Sequence, residues 1–152
     1  MQDVLIKPDR NGEFDLQISG SDFASVDGFE TAVPTSFFSN ARAIESRVPA
    51  ARKRRGWVGN ILTILTGREL GGTLWTLDQA RITEDTLNFA ETYARESLQW
   101  MLDDRIATNI NVDVRQQDDS SIIIATKITT LDNATTKYVS LWRSTNFGKV
   151  TT

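Results

Sequence analysis

Histidine and cysteine are both absent from the 152 residues. Without cysteine there is no disulfide framework, no thiolate nucleophile and no zinc–thiolate site. Without histidine, a Ser-His or Cys-His catalytic pair is impossible, and so is a His-ligated metal. Enzymatic chemistry would have to rest on carboxylates, Lys, Tyr, Ser or Thr, and metal binding on oxygen ligands alone. No Asp-rich loop of the calcium-binding type supplies such ligands, and no cofactor is expected. Long apolar runs are missing too: none approaches the roughly 18 residues that span a bilayer. The opening segment MQDVLIKPDRNG lacks the basic-then-apolar order of a secretory signal, so the chain is expected to be made and used in a cytoplasm. A net charge of −3 provides no global attraction to nucleic acid or membrane.

What remains suits one soluble domain over residues 1–152, with 39% hydrophobic and 24% charged residues. Its longest patterned stretch starts at Thr83, and neither Gly nor Pro interrupts it as far as Val114. Thr83 is a good cap, and Glu84 and Asp85 oppose the positive end of a helix dipole. Leu87, Ala90, Ala94, Leu98 and Met101 recur at helical spacing, with Tyr93 and Leu102 on the flanks. The pattern predicts one rod of roughly 20 residues, about 30 Å long. Glu91 and Arg95 form an i,i+4 pair on its outer face. Asp103, Asp104 and Arg105 then form a joint to a strand.

Beyond the joint, Ile110, Val112 and Val114 alternate with Asn109, Asn111 and Asp113. Ile122, Ile124, Thr126 and Ile128 share one face of a second strand. Lys137–Arg143 reads as a third strand holding Tyr138 and Trp142, and the polar tail Ser144–Thr152 is expected to be free or partner-bound. Upstream, Val4–Ile6 and Phe14–Ile18 flank a Pro8–Gly12 turn whose Asn-Gly pair predicts a β-hairpin. Asp27 is placed as the cap of a helix over Phe29–Phe37, with Pro34 imposing a kink or a late start. The fold class is therefore α+β: an N-terminal hairpin, two main helices, and a C-terminal antiparallel three-stranded meander packed on the long helix.

Between the helices the character changes. Arg42, Arg47, Arg52, Lys53, Arg54 and Arg55 face a single acid, Glu45, in a loop marked by Pro49. No aromatic ladder or nucleic-acid module accompanies these cations, so the run reads as a solvated loop or as one that meets an acidic neighbouring subunit through Arg52, Lys53, Arg54 and Arg55. Trp57–Thr66 is apolar and reads as a short strand or an ordered loop. The following Gly-rich run lacks phosphate-loop spacing, so Gly71-Gly72 indicates a turn or close backbone packing. Thr73–Ala80 reads as a short helical segment anchored by Leu74, Trp75 and Leu77.

Only one enzymatic reading fits the residues: Asp103 or Asp104 paired with a helix carboxylate such as Glu96 for glycoside hydrolysis. That requires a fixed carboxylate separation and one raised pKa. The ordinary reading is a solvated helix end. Acids there oppose the helix dipole, and Arg105 or a partner's cations would offset that.

Five motifs in order carry a likeness. They are Asp27-Gly28-Phe29-Glu30-Thr31-Ala32-Val33, Phe37-Phe38-Ser39-Asn40-Ala41-Arg42-Ala43, Arg54-Arg55-Gly56-Trp57-Val58-Gly59, Gly72-Thr73-Leu74-Trp75-Thr76-Leu77 and Tyr93 through Asp104. Together they closely resemble the Mu-like bacteriophage tail protein family, the gene-46 type, over nearly the whole chain. That family looks related to the T4 gene-25 type of baseplate wedge protein, which carries Glu-Pro-Arg at the end of its long helix. Asp103-Asp104-Arg105 falls at that place, with Arg105 kept and Asp104 standing where the proline would be.

The resemblance implies a non-enzymatic structural subunit of a contractile tail baseplate wedge. It would be present in six copies, in the virion after assembly in the host cytoplasm, with no nucleic-acid or membrane partner. Asp103, Asp104 and Arg105 would meet the wedge core bundle. Lys137, Tyr138, Val139, Ser140, Leu141, Trp142 and Arg143 would pair with strands of the first sheath ring. A lysozyme-like glycosidase is the alternative.

Overall fold

The computed structural model describes residues 2–8, 14–49, 53–62 and 69–144. The α+β class holds. Ala107–Gln116 (β7), Ser121–Thr130 (β8) and Thr135–Arg143 (β9) form an antiparallel sheet in the order β7-β8-β9. Its inner face carries Ile110, Val112, Ile122, Ile124, Ile128 and Trp142, all buried, as the alternation predicts. Glu84–Ser97 (α3) lies across that face, with Ala90, Tyr93 and Ala94 turned inward. Fully burying side chains of Leu or Ile size contributes about 1.5–3 kcal/mol each, so this seam holds the fold together.

The expected single rod is two helices. Thr83 caps α3 as anticipated, its hydroxyl accepting from the Thr86 N–H at 3.3 Å. The helix ends at Ser97, and Gln99–Asp103 (α4) follows after a break at Leu98. Two features explain a break where neither Gly nor Pro occurs. The Ser97 hydroxyl donates to the Ala94 carbonyl at 2.8 Å, and Leu98 N–H bonds to the Arg95 carbonyl three residues back at 3.2 Å, tightening the turn to 3-10 geometry. The chain at Gly72 also passes against Ser97: a Cβ on Gly72 would stand 2.9 Å from the Ser97 Cβ.

The N-terminal helix is shorter than predicted. Asp27 ends a strand, and α1 runs Ala32–Phe38 with Thr31 before it. Pro34 is its third residue, where a missing N–H costs nothing because the first-turn donors have no helical acceptor. Thr31 spends its hydroxyl elsewhere, donating to the Val4 carbonyl at 2.7 Å and accepting from the Ile6 N–H at 3.2 Å. Phe37 and Val33 are buried on the sheet-and-helix core.

The predicted hairpin is present as Ile6–Pro8 (β2) against Phe14–Leu16 (β3), in the register Ile6↔Leu16. Its Asn11-Gly12 turn lies outside the described residues. Two further ribbons join it: Gln2–Val4 (β1) with Ser25–Asp27 (β6), and Ile18–Ser19 (β4) with Asp22–Phe23 (β5). Leu5, Gln17 and Ala24 close their junction with a ring of three backbone hydrogen bonds of 2.7–3.0 Å. Of the stretch Trp57–Thr66, the described part holds a helical turn, Gly59–Leu62 (α2), where a strand or loop was expected, and residues 63–66 lie outside the described residues. Leu74–Leu77 is a 3-10 turn with Leu74, Trp75 and Leu77 buried, as expected. Of the tail expected to be free or partner-bound, Ser144 is buried, with its N–H on Ser120 O and its hydroxyl on Asp78 O at 2.7 Å. The rest lies outside the described residues.

The β7–β8 turn carries a pH prediction. Asp118 accepts from the Ser121 hydroxyl and from the Ser120 N–H and hydroxyl, which lowers its pKa to about 2. A folded pKa below the unfolded value of about 3.9 means the contribution is present above pH 4 and lost as pH falls toward 2. Carboxyl NMR should place the Asp118 midpoint near 2. An Asp118→Asn chain should lose that part of the acid dependence of its thermal midpoint. A midpoint near 4 would contradict the turn geometry.

Candidate functional site

The joint is built by the end of α4. Asp104 closes the helix, Arg105 N–H bonds to Leu102 O at 3.0 Å, and Ile106 N–H bonds to Met101 O at 2.9 Å. This pair of bonds is a Schellman motif, which requires a left-handed residue after the cap, usually glycine. Here that residue is Arg105, at φ 56°. A side chain in that conformation costs about 1 kcal/mol relative to glycine. Arg105 is exposed and makes no ion pair with any of the described residues. Asp103 is exposed and accepts from the Gln99 side chain at 3.0 Å. Asp104 is half-buried. The motif positions all three: the helix end turns the chain abruptly into β7 and leaves Arg105 projecting from the turn.

The joint is anchored from behind. Leu98 and Met101 are fully buried, and the Trp100 indole N–H donates to the buried Ser36 hydroxyl of α1 at 3.1 Å. Glu96, the helix carboxylate given as an example in the glycosidase reading, is taken up by the fold. Both of its oxygens accept from Arg47, at 2.7 and 2.8 Å, and Arg47 also donates to Thr73 and lies 4.4 Å from the centroid of the Tyr93 ring. The Glu96 carboxylate, first among the causes, raises the Arg47 pKa further above its usual value. A carboxylate with both oxygens clamped by one guanidinium suits a structural tie. This pair spans 49 residues of sequence; nothing in the local pattern around Arg47 signals it.

The basic loop is partly consumed in the same way. Arg54 donates to the Ala43 carbonyl at 2.6 Å and pairs with Glu45 at 3.3 Å. Arg55 pairs with Asp78 at 3.0 Å and lies over the Trp75 ring. Together with exposed Arg42 and Lys53 they line an open cleft. Arg52 lies outside the described residues. Among these four, Arg42 and Lys53 make no ion pair with a described residue.

The last strand, β9, pairs with β8 through nine residues, from Ser121↔Arg143 to Thr129↔Thr135. Its other edge has no strand partner among the described residues. Tyr138, Ser140 and Trp142 face inward, and the Tyr138 hydroxyl accepts from Phe29 N–H at 3.1 Å. Lys137, Val139, Leu141 and Arg143 face out. Among the described residues no cluster of carboxylates could hold a metal, and no helix is long and apolar enough to cross a membrane.

A family model described as phage protein GP46 matches residues 29–136, a span that takes in α1, the basic loop, the joint and most of the sheet. The chain belongs to the GP46 phage protein family. Two relatives extend the likeness. Baseplate protein gp46 of Escherichia phage Mu is 31% identical over 130 residues, 84% of this chain and 88% of that protein. The Mu-like prophage FluMu protein gp46 of Haemophilus influenzae is 31% identical over 102 residues, 67% of this chain and 68% of its own length. No solved structure matches. In this GP46 protein, then, the resemblance read from the five motifs is correct, and the joint and the cleft both lie inside the family's shared span.

Proposed function

We propose that this GP46 protein is a structural subunit of a phage tail baseplate and that the joint is its principal docking point. The observation that carries this reading is Arg105, a projecting cation kept in a left-handed turn where glycine would be easier. Strain kept at an exposed position is a mark of function. The relative in phage Mu is named a baseplate protein, and the long-range Arg47–Glu96 tie leaves Glu96 in a structural role.

In the finer reading the subunit belongs to a wedge of a contractile tail, in six copies. Asp103, Asp104 and Arg105 engage the wedge core bundle through paired charges. Arg52, Lys53, Arg54 and Arg55 face an acidic neighbour, with Lys53 the most available of the described residues there. The free edge of β9, Lys137–Arg143, offers backbone donors and acceptors to a sheath strand. Assembly takes place in the host cytoplasm and the product is the virion.

Two variants test the joint. The double change Asp103→Ala with Arg105→Ala should block wedge and tail assembly in the producing phage. Arg105→Gly should fold as well as the unaltered chain, or be more stable by up to about 1 kcal/mol, and should still fail to assemble. Normal tails from both would remove the joint from the function. For the glycosidase alternative, purified protein should release sugar from cell wall in a manner lost with Asp103→Asn or Asp104→Asn. No hydrolysis across a broad pH range dismisses it.

A further inference from the structure

The segment Trp57–Leu62 carries four large apolar side chains in the open. Trp57 is 48% exposed, Val58 69%, Ile61 82% and Leu62 78%. Apolar side chains scattered singly over a surface need no explanation, but four within six consecutive residues form a patch of the kind that partners cover. The segment is not a loose end. Trp57 N–H donates to the Asn40 carbonyl at 2.7 Å, tying the segment's start to the residue that bridges to Gly72 just after α1. The Asn60 amide then clasps the backbone of Leu70 twice: its Nδ2 donates to Leu70 O at 3.0 Å, and its Oδ1 accepts from Leu70 N–H at 2.9 Å. The Trp57 ring folds over Gly59, where a Cβ would lie 2.1 Å from the ring. Three local devices therefore hold an exposed apolar turn in one shape. Pre-organisation of this kind lowers the ordering cost of binding.

No residue from Trp57 to Leu62 is charged. Its foot is strongly cationic: the cleft of Arg42, Lys53, Arg54 and Arg55 adjoins it, and Gly56 packs against Arg42. Arg54 and Arg55 are bent back onto Glu45 and Asp78, whereas Arg42 and Lys53 have no ion-pair partner among the described residues.

We infer that Trp57–Leu62 is an apolar docking knob that inserts into a groove on a different protein of the baseplate, a groove with an apolar floor and an acidic rim facing Arg42 and Lys53. This rests on the baseplate reading and deepens its contact between the basic loop and an acidic neighbour, adding an apolar anchor that is separate from the joint. The apolar side chains supply the affinity through desolvation, and the two cations orient the approach. A fixed backbone shape favours a protein groove over a lipid surface, because a bilayer imposes no shape to match.

The test uses assembling tails. A photoreactive benzoylphenylalanine is placed at position 61 in one chain and at position 105 in another, and completed tails are irradiated. The position-61 probe should crosslink to one peptide of another baseplate protein, with Asp or Glu flanking apolar residues. The double change Ile61→Ser with Leu62→Ser should leave the thermal midpoint unmoved, since both side chains are exposed. It should lower incorporation about tenfold or more in competition with the unaltered chain. Lys53→Glu should lower incorporation severalfold at low salt, with the deficit shrinking as added salt screens the new repulsion.

Ordinary incorporation of the double variant overturns the inference. So does a position-61 crosslink to a second copy of this chain, or no crosslink in completed tails. Flotation of the purified protein with phosphatidylglycerol vesicles, abolished by the same double change, would assign the knob to a lipid surface and also overturn it. If the position-105 probe crosslinks and the position-61 probe does not, the knob fails and the baseplate reading stands. If neither does, both fail.

Discussion

Replacing Gly71 by alanine is expected to lower the unfolding free energy by about 3 kcal/mol and the thermal midpoint by about 10 °C. Gly71 has φ +106°, outside the left-handed region that side chains can reach at modest cost, and its new Cβ would lie 2.3 Å from the Ser39 carbonyl oxygen and 3.0 Å from Ala41 N. Both obstacles are backbone, so no side chain can swing away. The Ser39 carbonyl also accepts from Gly72 N–H at 2.9 Å, and Ala41 N–H donates to Gly72 O at 3.0 Å, closing the bridge between Asn40 and Gly72. Moving Ser39 aside would open that bridge and disturb Ala41, whose carbonyl accepts from the buried Trp75 indole at 2.9 Å. Gly20→Ala is the control. Gly20 has φ +67° and nothing within 4 Å of the added Cβ, so only conformational strain of about 1 kcal/mol is expected. Urea or thermal unfolding of the two variants decides it. Equal losses would show that the close approach at Gly71 does not exist.

The second large effect is expected from Leu98→Ala, with a loss of about 3 kcal/mol and a range of 2–5. Leu98 is fully buried at the break between α3 and α4, in the cluster that includes Met101, Phe37 and Ile124. Truncation leaves a cavity, and the neighbouring tie of Ser97 to Ala94 resists collapse into it. Because the break seats α4 on the sheet, tails carrying a folded Leu98→Ala chain should also assemble poorly. Denaturant unfolding with an unchanged m-value measures the first effect. A loss under 1 kcal/mol would mean that the break is a loosely packed hinge and not a seat for the joint.

Much of the α+β layout was legible in the chain because period-2 and period-3.6 patterns report directly which face is buried. The sheet strands, the buried stripe of α3, the Thr83 cap and the anchors Leu74, Trp75 and Leu77 all follow from local residues. The errors fall where a distant partner overrode a local signal. Asp27 looked like a cap and became the end of a strand, because β1 pairs with it across some two dozen residues. The uninterrupted helix broke at Leu98, where Gly72 brings another chain segment against Ser97. The apolar run after Gly56 was read as strand or loop and holds a helical turn, because no neighbouring strand pairs with it among the described residues.

The candidate site divides in the same way. The order of Asp103, Asp104 and Arg105 between a helix and a strand was visible, and so was the likeness to the GP46 family, since both depend on neighbouring residues. Sequence by itself therefore determined the absence of thiol and imidazole chemistry, the alternating strands, and the family. The tertiary structure decided which charges remain available. Arg47, Arg54 and Arg55 looked equivalent to Arg42 and Lys53 in composition, yet the first three are spent on Glu96, Glu45 and Asp78. It also placed Arg105 in a left-handed turn and held Trp57–Leu62 open with an Asn60 clasp to Leu70. These ion pairs and clasps join residues 9 to 49 positions apart along the chain, so their geometry exists only after folding.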